Sequence, residues 1–333
     1  MKATVVVDNR KNGALSGEWG LCIYIEHGEK RILLDTGASS LFAANAAQLG
    51  LDLGSVDAAV LSHAHYDHAN GMETFFRCND KAKFYVGRTC AADCYAKYWL
   101  FRRYIGVPKT VLQAFRERVV YAPEQPVEIL TGAYLVPHST PELERVGRRE
   151  RMYRLESGRW RPDDFSHEQS LVLDTAKGLV IFNSCSHGGA ANIINEVAAV
   201  FPDKTVYALI GGFHLYNKPA SEVRALAEKI RQTGVAYVCT GHCTGERAYR
   251  VLREELGDRL HQLQVGKVME FLISENGGEY NAENRPFNKD LRREKSGGRP
   301  EPAHPGRGDL RLYRPQRRRQ DHHPQGSGGH SAV

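Results

Sequence analysis

The stretch LSHAHYDHANG, residues 61–71, sets His63, His65, Asp67 and His68 into six positions at the end of a short apolar run, AAVLSH. Groups that are costly to bury and prone to titrate are clustered for a reason, and histidine is the commonest protein ligand for transition metals. On an extended segment His63 and His65 project to the same side. The turn that follows swings Asp67 and His68 toward a second position close by. One short loop can thus feed two metal ions, provided the fold brings further ligands from elsewhere and leaves a coordination position open for water.

Three later histidines also sit where strand-like runs end: His187 in LVIFNSCSHGG, His214 in YALIGGFH and His242 in AYVCTGH. Loops at strand ends are where a rigid scaffold holds functional groups. Each histidine alone reads as structural, but four segments ending in His beside Gly, Ser or Cys point to one shared site. His167 in FSHEQSL and His138 in LVPHSTPE are weaker candidates, and His138 is read as a loop histidine. The seven cysteines are odd in number and scattered, which is no disulfide framework. Cys90 with Cys94, and Cys239 with Cys243, repeat one spacing. Buried free thiols are the simpler account, and a four-cysteine zinc site the rival.

The rest of the pattern supplies the scaffold. Residues 3–7, 21–25 and 31–34 read as strands, SSLFAANAAQLGLDL as a helix, AKFYVG as a strand, and 89–120 as a helical excursion rich in aromatic and basic side chains. Residues 145–168 are irregular and charged. SLVLDTAKGLVIFNS is a hairpin about Lys177-Gly178. NIINEVAAVF is a helix, TVYALIGG a strand, SEVRALAEKIRQTG a helix capped by Ser221 and ended by Gly234, VAYVCTG a strand, and 246–256 a last helix. Strand runs first and alternation with helices afterwards predict two sheets with helices outside.

These motifs resemble the metallo-β-lactamase superfamily of metal-dependent hydrolases over roughly residues 1–273. Asp35 in LLDTG, which in such proteins supports the histidine loop, and the His63–His68 cluster carry the resemblance. DN at 8–9, CSHGG, GGFHL and GHCTG are similar to the branch named after 7,8-dihydropterin-6-methyl-4-(β-D-ribofuranosyl)-aminobenzene 5′-phosphate synthase. The resemblance implies an α/β chain folded as a four-layer αββα sandwich. It implies His63, His65 and His187 as ligands of one ion and Asp67, His68 and His242 as ligands of a second, with zinc, manganese or iron bound. Most members supply a bridging aspartate after the strand that here reads LVIFNS, whereas this chain offers Asn183, Ser184 and Cys185. Cys185 is then a ligand, a redox-sensitive neighbour or packing, and His214 either completes the ligand set or contacts substrate.

Zinc lowers the pKa of bound water to ~7 and polarises an electrophile. The reading is therefore a hydrolase working through a metal-bound hydroxide, with Asp67 orienting the water or accepting its proton. The substrate is expected to be a small anion. Arg102, Arg103, Lys109, Arg148, Arg149 and Arg151 are candidates to hold its phosphate or carboxylate. Tyr216 and Asn217 are placed near the mouth, 89–120 is a candidate lid, and Gly241–Gly245 is either an anion-binding helix start or a tight turn. A transferase of the synthase type and a non-catalytic metal or ligand sensor are the rivals.

Charge needs dissecting before it is used. Residues 285–333 hold 12 Lys or Arg against 5 Asp or Glu, leaving residues 1–284 at −1. The basic balance lives in the tail and gives no sign of a nucleic-acid partner for the rest. No run of about 18 apolar residues suggests a membrane span. The first residues show no secretory pattern, and the chain is expected in the cytoplasm. The expected division is one domain over 1–276, followed by a disordered basic tail over 277–333. Shifted by one base with permitted codons, GDLRLYRPQRRRQDHH can read EIYGFIGPNGAGKTTT, a P-loop, so the tail is also a candidate out-of-frame reading of a neighbouring gene.

Overall fold

The computed structural model describes residues 1–272; the tail expected at 277–333 lies outside them. The chain opens as an antiparallel meander of β1 (Lys2–Val7), β2 (Cys22–His27) and β3 (Lys30–Leu34). Helix α1 (Leu41–Gln48) leads to β4 (Ala58–Val60), and α2 (Tyr66–Ala69) and α3 (Met72–Cys78) lead to β5 (Lys83–Val86). Then come β6 (Asp93–Tyr98), β7 (Phe101–Tyr104), α4 (Val111–Ala114), β8 (Val119–Tyr121), β9 (Val127–Leu130) and β10 (Ala133–Pro137). Helix α5 (Leu143–Glu150) precedes β11 (Met152–Glu156), β12 (Arg159–Pro162), β13 (Gln169–Thr175) and β14 (Gly178–Phe182). The last part alternates: α6 (Ala190–Val200), β15 (Val206–Gly211), α7 (Ala220–Gln232), β16 (Tyr237–Thr240), α8 (Glu246–Leu256), β17 (Leu260–Gln262) and β18 (Val268–Glu270).

Two seven-stranded sheets result, ordered β18-β1-β2-β3-β4-β5-β8 and β17-β16-β15-β14-β13-β10-β9, with a small third sheet β12-β11-β6-β7. Side chains alternate across a strand, so each sheet feeds two cores. In β3, Ile32 and Leu34 face the core between the sheets while Leu33 packs outward with Phe42 and Phe75 of the helices. In β14, Val180 and Phe182 face inward while Ile181 meets Ile194, Ile230 and Leu252 of α6, α7 and α8. Burying each such side chain is worth about 1.5–3 kcal/mol. Helix, sheet, sheet, helix is the expected αββα sandwich.

The topology also decides where a site can be. Strands β14, β15 and β16 are neighbours and run parallel, as do β3, β4 and β5. Parallel neighbours end on the same edge, so the loops that begin at Asp35, Leu61, Asn183, Gly212 and Gly241 leave the two sheets from strand C-termini. Glycines permit the crowding there. A Cβ on Gly211 (φ +142°) would stand 1.8 Å from the Asn183 carbonyl oxygen, and one on Gly212 would stand 2.5 Å from Cys243 Sγ.

Three expectations fail. Residues 89–120 are not a helical excursion: most of their order is the β6–β7 hairpin, with α4 the single short helix. The aromatic side chains there pair across strands, with the Tyr95 and Tyr104 rings in register and 5.3 Å apart. Residues 145–168 are ordered as α5 and the β11–β12 hairpin. Ser221 does not cap α7; Pro219 holds the cap position and Ser221 lies in the first turn. Among the described residues no helix is long and apolar enough to cross a membrane.

Candidate metal centre

Asp67, His68 and His242 converge. His68 Nε2 lies 3.2 Å from His242 Nε2, and Asp67 Oδ2 lies 3.5 and 3.4 Å from these two nitrogens. Ligand atoms about 2.0–2.1 Å from a tetrahedral ion stand roughly 3.3 Å apart, so the three side chains fit one face of such an ion. The two histidines are aimed from behind. Asp35 is fully buried at the end of β3, and its Oδ2 lies 2.8 Å from His68 Nδ1. The same carboxylate accepts the Ser62 N–H at 2.7 Å and the hydroxyls of Ser62 and Ser184 at 2.7 and 2.6 Å. Thr36 donates its N–H and its hydroxyl to the His68 carbonyl. Far along the chain, Asn9 Oδ1 lies 3.1 Å from His242 Nδ1 while Asp8 accepts the His242 backbone N–H. Carboxylate or amide partners behind a histidine fix which nitrogen faces the ion.

Burial pushes the Asp67 carboxyl up, but His68 and His242 outweigh it and hold it well below the usual range. Burial likewise disfavours charge on His68, yet Asp67 and Asp35 push its pKa to about 10 without an ion. A cation there displaces that proton.

The first set is looser. The rings of His63, His65 and His187 lie 4.6, 5.2 and 5.1 Å apart in pairs. His63 Nδ1 is taken by the Ser62 hydroxyl at 2.9 Å, leaving Nε2 free. That nitrogen, His65 Nε2 and both nitrogens of His187 are buried with no hydrogen-bond partner among the described residues. Buried polar atoms seldom stay unpaired, so these orphans fit the ligand set of a cation. Burial, reinforced by neighbouring imidazoles, keeps His63 and His187 well below the ordinary histidine pKa and His65 at about 3. Neutral rings are what a metal requires.

Cys185 stands between the sets, its Sγ 3.4 Å from His68 Nε2. His214 packs on His187 at 4.6 Å, and neither ring nitrogen has a hydrogen-bond partner among the described residues. Asp35, Ser186, His214 and His242 all have positive φ, between +46° and +59°. Strain of about 1–3 kcal/mol per residue gathers at functional sites.

The weaker candidates are occupied elsewhere. His167 Nδ1 accepts the Ala64 N–H at 3.2 Å and its Nε2 lies 3.2 Å from Asp163. His138 is wedged between Glu168 at 3.1 Å and Glu196 at 3.0 Å. Burial would lower its pKa, but the two carboxylates raise it to about 9. Glu168, which sequence reasoning missed, also accepts the N–H groups of His187 and Gly188 and so anchors the CSHGG loop. A folded pKa above the unfolded ~6.5 means this stabilisation is complete below pH 6.5 and lost as pH rises through 9. Urea unfolding should show His138→Gln less stable than the parent at pH 6 by about 3 kcal/mol, and the gap should narrow markedly by pH 10.

Trp19 and Tyr216, half-exposed with rings 5.8 Å apart, flank His242 and His214 at the mouth. Asn217 donates to Glu150, whose Oε2 lies 3.9 Å from His214 Nε2. An open hollow of about 520 Å³ is lined by Lys97, Arg148, Arg151, Trp99 and Tyr153, with Arg148 and Arg151 on either side of Glu150 in the chain. These three cations have no carboxylate partner among the described residues. The other candidates are engaged: Arg149 with Glu150 and Glu222, Lys109 with Asp93, Arg102 over Trp160, and Arg103 over Tyr66. The Gly241–Gly245 segment is a tight turn with the N–H groups of Thr244 and Gly245 bonded inside it. The four cysteines of the zinc alternative do not meet: Cys90 and Cys94 pack in an outer core, Cys239 between the sheets, and Cys243 beside Cys185.

This sandwich with histidine-bearing loops at its strand ends has the architecture of the metal-dependent hydrolases, and the chain belongs to the metallo-beta-lactamase superfamily, whose family model matches residues 20–242. Among its relatives is the 7,8-dihydropterin-6-methyl-4-(beta-D-ribofuranosyl)-aminobenzene-5'-phosphate synthase of Methanocaldococcus jannaschii, 28% identical over 73% of this chain and 85% of the relative. A crystal structure described as a metal-dependent hydrolase of the beta-lactamase superfamily superposes with a TM-score of 0.69 at 27% identity, covering 81% of this chain and 98% of that one. Zn(2+)-bound PqqB from Methylobacterium extorquens shares the fold, with a TM-score of 0.51 at 11% identity over 81% of this chain and all of that one (100%).

Proposed function

We propose that the protein is a metal-dependent hydrolase acting on a small anionic molecule, with His63, His65 and His187 holding one ion and Asp67, His68 and His242 a second. The observation that carries this is the pair of adjoining sets, one with ligand atoms at tetrahedral spacing and one with orphaned buried nitrogens. Bound zinc, manganese or iron would supply a Lewis acid and an activated water at neutral pH. Asp67, held ionised, orients the attacking water. His214, whose ring nitrogens have no hydrogen-bond partner among the described residues, contacts the substrate. Trp19 and Tyr216 wall the mouth and limit water, while Lys97, Arg148 and Arg151 receive the anionic group.

The test is turnover of phosphoesters and esters by metal-loaded protein in ¹⁸O-water. Hydrolysis places one labelled oxygen in a product per turnover. The relative named as a synthase supplies the contrary outcome: two substrates joined, with no label taken up. For a phosphate-bearing substrate, Arg151→Gln and Arg148→Gln should each raise KM about ten-fold with kcat nearly unchanged, because a remote charge contact serves ground and transition states alike.

A further inference from the structure

Among the described residues, Cys185 is the one side chain grouped with two histidines of each ligand set. Its Sγ lies within 4.8 Å of ligand atoms of His63 and His187 on one side and of His68 and His242 on the other. It is 3% exposed, just past the end of β14, and its Sγ lies 3.4 Å from His68 Nε2. Its neighbours are committed elsewhere. Ser184 donates to Asp35, Asn183 Oδ1 accepts the Ser186 N–H, and Asn183 Nδ2 donates to Ser170 Oγ. The unpaired nitrogens of His63 and His187, themselves 0 and 5% exposed, lie beside the sulfur. No carboxylate is grouped with His63 and His187 there.

We infer that Cys185 is a bridging thiolate, bonded through Sγ to both ions, and that this bridge couples the two sites. The S–H bond breaks, its proton leaves to solvent, and two metal–sulfur bonds form. The inference rests on the two-ion centre proposed above. A sulfur at the centre biases the pair toward zinc, iron(II) or cobalt(II) and away from manganese, since soft thiolate suits the former. Cys243 is the competing thiol, its Sγ 3.4 Å from that of Cys185, but it is grouped only with Cys185 and His214.

The test is anaerobic titration of the metal-free, reduced full-length protein with cobalt(II). Two ions should bind, and the near-ultraviolet thiolate-to-cobalt band should keep growing through the second equivalent. The band should persist in Cys243→Ser. It should vanish in Cys185→Ser, with the second ion about 10–100-fold weaker. Cys185→Asp, which keeps an anionic ligand at the centre, should bind two ions without the band. With two ions bound, a band complete at one equivalent, a band surviving Cys185→Ser, or no band at all would overturn the bridge while leaving the two-ion centre standing. Failure to bind a second ion would overturn both.

Discussion

Asp35→Ala is expected to give a chain that is several kcal/mol less stable and a poor metal binder. The side chain makes four close contacts from a fully buried position: to the Ser62 N–H, to the hydroxyls of Ser62 and Ser184, and to His68 Nδ1. Truncation strands the Ser62 N–H and the Ser184 hydroxyl, leaves the Ser62 hydroxyl with His63 Nδ1, and leaves the buried His68 with only Asp67 as a charge partner. Breaking one partner of a buried charged network costs about 3–5 kcal/mol. The metal penalty is separate, because without Asp35 nothing selects the tautomer that points His68 Nε2 at the centre; a 10–100-fold loss of affinity is typical for such a partner. Asp35→Asn separates the two effects. It keeps the size of the side chain and an oxygen for the Ser62 N–H, so urea unfolding should recover more than metal affinity does. Equal recovery of both would argue that Asp35 only packs.

His68→Ala and His242→Ala should each remove one of the two ions, as read by elemental analysis, and lower kcat/KM roughly 10³-fold, about 4 kcal/mol of transition-state stabilisation. The size follows from what each ring contributes. Their nitrogens are 3.2 Å apart and share Asp67 as third partner. Neither loss can be taken up by the remaining pair. The double variant should be little worse than either single one, since residues acting as a unit are not additive. Independent, multiplying losses would mean that the two histidines serve different ends.

What could be read from the sequence was local. The His63–His68 cluster and the histidines at 187, 214 and 242 follow apolar strands, and parallel strands must release their loops on one edge, so seven ligand candidates were visible as a set. Other groups were hidden because they reach the site through tertiary contacts alone. Asn9 lies 233 positions from the histidine it orients, and Glu168 lies 19 from the loop it anchors. Trp19 meets His242 only because the meander and β16 end beside one another. The segment 89–120 misled for a physical reason: aromatic and basic residues recur at a spacing compatible with a helix face, and the decision for strand is made by pairing with β11, which one segment cannot reveal. Cys185 was legible as a departure, but its place between the ligand sets was not.

The measurement that bears most directly on this account is the metal content of the full-length protein, stripped, reloaded with zinc and analysed for bound ion per chain. Two ions are predicted, from two ligand sets adjoining through Cys185. One ion or none, with the protein folded and its thiols reduced, would contradict the binuclear centre and the hydrolytic function built on it.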